Sequence, residues 1–186
     1  MSSTLISKIR SFKKAEGLFS ALYIGFILII IAAIYLSYLP TNLWLDFIDF
    51  INHLTLAELP GTGIYLPAPL NPATYSDLYS AAFLFCVALG ILEVVILGLR
   101  FFFYSPTKRK AETIENIVFW LGAGYLLITY LNSAATINTW FVFWTGIIII
   151  FGLSLIARAF VLLVKRQTAP AQTTTAPPAT TTTTTT

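Results

Sequence analysis

Between residues 18 and 39 the chain carries no charged side chain, and this run restricts the fold more than any other feature. An α-helix rises about 1.5 Å per residue, so about twenty apolar residues cover the roughly 30 Å hydrocarbon core of a bilayer. Water-soluble domains have no use for such a run, because one face of each surface helix must meet water. Three further apolar runs follow: 78–103, interrupted by Glu93 and Arg100; 114–132; and 138–164, interrupted by Arg158. The expected fold class is therefore an all-α integral membrane protein, a four-transmembrane-helix bundle.

Composition agrees. Of 186 residues, 57% are hydrophobic and 10% charged, against about 25% charged in ordinary soluble domains. The first run exceeds the apolar region of a signal peptide and ends at Tyr38, Leu39 and Pro40 without a small-residue cleavage site, which predicts a retained helix.

Orientation follows from the eleven basic residues. Lys8, Arg10, Lys13 and Lys14 precede the first run. Arg100, Lys108, Arg109 and Lys110 surround the link between the second and third, and Arg158, Lys165 and Arg166 close the fourth. With four crossings all these positions share one face, as the positive-inside rule requires, so both termini are expected in the cytoplasm and the chain in the cell membrane. The segment 40–77 has no Lys or Arg and holds Asp46, Asp49, Glu58 and Asp77, which assigns it to the outer side.

Four smaller regions complete the expected organisation. Residues 1–17 form a basic cytoplasmic segment. Within the outer loop 40–77, residues 42–58 alternate apolar and polar at helical spacing, which predicts a short amphipathic helix in the outer interface with Trp44 at headgroup level. Pro60, Pro67, Pro69 and Pro72 with Gly61 and Gly63 predict a turn-rich cap after it. The short link NSAATIN between the third and fourth runs predicts antiparallel neighbours, and the Thr/Pro-rich tail 167–186 lacks large apolar residues and should be disordered.

The candidate functional residues are the polar ones inside apolar runs. Glu93 lies about 15 Å from the inner end of its helix at helical rise, where an ionised carboxylate is costly and must be paired, protonated or functional. Arg158 enters from the same side and is the expected counter-ion. Cys86, Glu93 and Arg100 recur every seven residues and mark one stripe, the side expected to face other helices. Asp46, Asp49 and His53 have spacing that places them on one helical side, either as a wet face or as a weak metal-like cluster. Gly17, Ala21 and Gly25 form a small-xxx-small face, and Gly122, Ala123 and Gly124 a second, both suited to close helix packing.

Absences narrow the function. One cysteine and one histidine allow no intramolecular disulfide, CxxC pair or bis-histidine haem. There is no Gly-rich phosphate loop, HExxH or GxSxG, so the chain is not expected to be an enzyme and no metal or cofactor is assigned. Three functions are weighed. The leading one is an accessory or structural subunit of a larger membrane complex, with other membrane subunits or its own copies as partners and no nucleic acid. The alternatives are a proton or ion transporter using Glu93, and a quinone-interacting redox subunit.

Overall fold

A computed structural model of the protein describes residues 21–102 and 106–168. The basic segment 1–17, with Gly17, and residues 169–186 of the expected tail lie outside the described residues, whereas Gln167 and Thr168, expected in the disordered tail, continue the last helix. Those described are mostly helical: five helices, α1 (Ala21–Ser37), α2 (Leu43–Asn52), α3 (Ser76–Phe102), α4 (Thr107–Tyr130) and α5 (Ile137–Thr168), with one antiparallel hairpin of β1 (Leu54–Glu58) and β2 (Tyr65–Pro69). Two stretches, Pro72–Phe102 and Ile137–Val164, are helical, long and apolar enough to cross a membrane. Helix α4 is long, but Lys108, Arg109, Lys110, Glu112 and Glu115 crowd its first turns.

Helix ends are built from local chemistry. At the start of α5 the Thr136 amide donates to the Thr139 hydroxyl (2.8 Å) and the Thr139 amide to the Thr136 hydroxyl (3.3 Å), a reciprocal cap that uses amides the helix leaves free. Asp77 occupies the first turn of α3, where the helix dipole favours an acid. Between α1 and α2, Asn42 adopts a left-handed φ of 48°, a conformation that asparagine tolerates better than most residues.

The outer segment differs from the expectation for 42–58. Helix α2 stops at Asn52, and Leu54–Glu58 is a strand paired with Tyr65–Pro69 in the register Leu54↔Pro69 and Glu58↔Tyr65. Gly61 (φ 74°) and Gly63 (φ 68°) supply the left-handed positions that turn the chain back, and the Leu59 amide closes the turn on the Ile64 carbonyl at 2.7 Å. Prolines are normally excluded from ladders, yet here they are tolerated. Pro67 and Pro69 alternate with Leu66 and Ala68, so both take the open edge, where no amide is required. Pro67 then offers its outward carbonyl to the Trp140 indole, which donates to it at 3.2 Å.

The long helices pack as a row. Helix α4 lies against α3 on one side and α5 on the other. On the first side, a Cβ added at Gly90 would overlap the Leu121 side chain; on the second, one at Gly146 would sit 2.7 Å from Leu126 Cδ1. These glycines let the helix backbones approach closely. Helix α1 joins at the edge through Tyr23, Ile27 and Ile30, which rest on Leu89, Leu92 and Ile96 of α3. At the other end of α3 and α5 an aromatic cluster holds α2: Phe50 meets Tyr75 edge-on at 5.2 Å between centroids and lies 5.9 Å from Trp140. Within their most apolar stretches, 33% of α3 is buried but only 6% of α5.

Candidate functional site

The polar residues within the apolar helices collect in one layer, formed by the C-terminal half of α3, the N-terminal half of α4 and Arg158 of α5. Glu93 is the most enclosed charged-type side chain of the layer, 4% exposed. Its Oε1 accepts from Asn116 Nδ2 at 2.9 Å, and the Tyr23 hydroxyl of α1 stands beside the same carboxyl group. Three helices therefore meet at Glu93, each through a polar atom.

Arg158 does not reach Glu93. Its Nη1 lies 2.9 Å from Glu115 Oε2 and its Nη2 3.8 Å from Glu112 Oε1, and Glu112 also meets Arg109 at 3.4 Å. The physical reason is the order of the row: α4 stands between α3 and α5, so the guanidinium meets the carboxylates of α4 first. Arg100 is likewise satisfied by α4, donating to the Thr113 hydroxyl and the Arg109 carbonyl; the fully buried Thr113 hydroxyl in turn donates to that carbonyl at 3.0 Å. Thus Glu93 and Arg100 both bond to α4, while Cys86, on the same stripe, is a buried free thiol whose Cβ lies 3.3 Å from where a Gly124 Cβ would stand.

The remaining candidates separate. Asp49 Oδ2 accepts from the Tyr75 hydroxyl at 3.0 Å and its Oδ1 lies 3.1 Å from His53 Nδ1, which ties α2 to the start of α3. Asp46 does not join them, and among the described residues no three His, Cys, Asp or Glu side chains converge as metal ligands would. Ala21 is exposed, and a Cβ added at Gly25 would meet nothing within 4 Å, so no helix of the described chain covers the small-residue face of α1. Close approaches occur instead at Gly90, Gly122 and Gly146.

Sequence reasoning passed over Asn116, Tyr23 and the role of Glu115. Glu112 and Glu115 read as acids favoured by the helix dipole, a role open to any early helical acid. The antiparallel pairing of α3 with α4 carried the missing signal: with Gly124 beside Cys86, two turns along α3 to Glu93 correspond to about two turns back along α4, near Asn116. Chemically the layer is closed, each of its polar side chains being met by another. No family model, curated protein or solved structure matches this chain.

Proposed function

We propose that this protein crosses the cell membrane four times, with both termini in the cytoplasm, and serves as a non-catalytic subunit of a larger membrane assembly. One observation carries the reading. Helix α5 leaves most of the large apolar residues of its apolar stretch exposed while the one charge there, Arg158, is turned onto Glu115. Against water that arrangement is inverted; against lipid, polar groups pair inside and apolar ones face out.

Other features fit the same reading. The charged start of α4 and the layer around Glu93 stand at the end of the helices that carries Arg100, Lys108, Arg109, Lys110 and Arg158, the side that the positive-inside rule gives to the cytoplasm. At the opposite end α2 directs Trp44, Phe47, Ile48 and Ile51 away from the body, as suits a helix resting in the interface. The polar groups are consumed by intrachain pairing, which favours a packing role over ion passage, since a permeation path needs groups left free to replace an ion's water.

Purification of the tagged full-length protein from its native membrane in mild detergent, followed by native mass and identification of accompanying chains, tests the reading. Stoichiometric partners are expected. A lone homo-oligomer would overturn the subunit role and favour the transport alternative, for which Glu93 with Tyr23 and Asn116 is the one specific observation. That alternative requires wild-type proton uptake in proteoliposomes that Glu93→Gln abolishes.

A further inference from the structure

A cleft of about 490 Å³ opens between the segment after α1, the first two turns of α3 and the last turns of α4. Its lining changes character with depth. On α3, Asp77 and Ser80 precede Phe83; along the antiparallel α4, Leu127 is followed just past the helix end by Asn132. Both walls are therefore polar at the end of the helices away from the basic residues and apolar toward their middle.

The one ionised side chain of the lining is Asp77, exposed at the mouth. Its carboxylate enters no hydrogen bond or ion pair among the described residues and stands between the positive N-terminal end of α3 and the negative C-terminal end of α4. No Lys or Arg occurs from residue 15 to 99 or from 111 to 157, so nothing basic borders the mouth. Tyr79 also forms part of the wall, but its ring packs against Phe50 and Trp140 with the hydroxyl buried, so what the cleft offers a ligand is Asp77 at the mouth and the apolar depth behind it.

We propose that this cleft binds an amphiphile with an ammonium headgroup, the cation at Asp77 and the chain along Phe83 and Leu127. The volume is that of a small-molecule site and accommodates a head with the first part of a chain. This assignment rests on the membrane reading above. The ammonium comes either from a membrane aminolipid or from a free alkylamine, and the two sources are separable.

The test is native mass spectrometry of the full-length protein in a neutral maltoside detergent, titrated with phosphatidylethanolamine, phosphatidylglycerol or dodecylamine. One-to-one adducts of phosphatidylethanolamine are expected at concentrations about tenfold below those of phosphatidylglycerol. Asp77→Asn should remove that preference, a loss of the order contributed by one charged hydrogen bond. Ser80→Leu, which fills the mouth without touching the charge, should remove binding as well, and the unfolding midpoint of each variant reports that it is folded. Dodecylamine binding with the same sensitivity to Asp77→Asn assigns the site to free amines too; its absence assigns the site to the aminolipid. Equal binding of phosphatidylglycerol, or adducts unchanged in both variants, overturns the proposal. Release of the protein from membranes by alkaline carbonate would instead sink the membrane reading, whatever binds in detergent.

Discussion

The two ends of the helix row are held by different physics. At one end, α1, α3, α4 and α5 are joined by charge and hydrogen bonds: Tyr23 and Asn116 on Glu93, Arg100 on Thr113, Arg158 on Glu115. At the other, α2 and the hairpin are held on α3 and α5 largely by rings, with Phe50 meeting Tyr75, Tyr79 and Trp140, and Tyr79 meeting Trp140. The first kind of contact is directional and depends on a partner being present. The second depends on filled volume. A substitution at the ring end should therefore cost in proportion to the atoms removed, whereas one at the polar end should cost according to what is left unpaired.

The largest effect is expected at Trp140. It is buried, touches Phe50, Tyr79, Phe143 and Trp144, and donates its indole N–H to Pro67. Trp140→Ala should cost about 3–5 kcal/mol, the range for large aromatic truncations, measured by thermal unfolding in detergent. Trp140→Phe should recover most of that, because volume dominates there. If the two variants were equally unstable, the hydrogen bond to Pro67 rather than ring packing would be holding the hairpin.

At the polar end the informative experiment is a pair. Arg158→Met leaves Glu115 without its guanidinium and should destabilise by about 2–3 kcal/mol, less than for a fully buried pair because both side chains keep some exposure. Adding Glu115→Leu should restore much of the loss, since the uncompensated charge is then gone. A double variant less stable than the single one would mean that the pair contributes attraction of its own. Between the two ends, Gly146→Val tests the helix approach: its Cβ would stand 2.7 Å from the Leu126 side-chain tip, so Leu126 must turn aside or the helices part, at about 1–3 kcal/mol.

How much of this was legible in the sequence varies with the range of the interaction. The apolar runs read as helices and, over most of their described residues, are helices, because run length is a property of consecutive residues. The end of α2 was not legible. Residues 54–58 continue an alternation that suits a helix face and a strand equally, and the choice is made by a partner strand whose prolines appeared to forbid it. Arg158 shows the same limit at the candidate site. Its distance from the helix end can be read from the chain, but its partner depends on α4 standing between α3 and α5, which no local pattern records.

The smallest expected effect separates anchoring from stability. Tyr75 donates to Asp49 at 3.0 Å, the hydrogen bond that links α2 to the start of α3. Tyr75→Phe keeps the ring that packs edge-on against Phe50 and removes only that bond, so global unfolding should fall by about 1 kcal/mol or less. Because Asp49 lies on the exposed side of α2, water can take over its solvation, which limits the loss. Amide exchange within α2 should nonetheless accelerate several-fold while exchange in α3 and α4 stays unchanged, because a local tether governs local opening. Uniform acceleration across α2, α3 and α4 would show that the ring cluster and the outer helix open as one unit, and would erase the distinction between packed and tethered parts at that end.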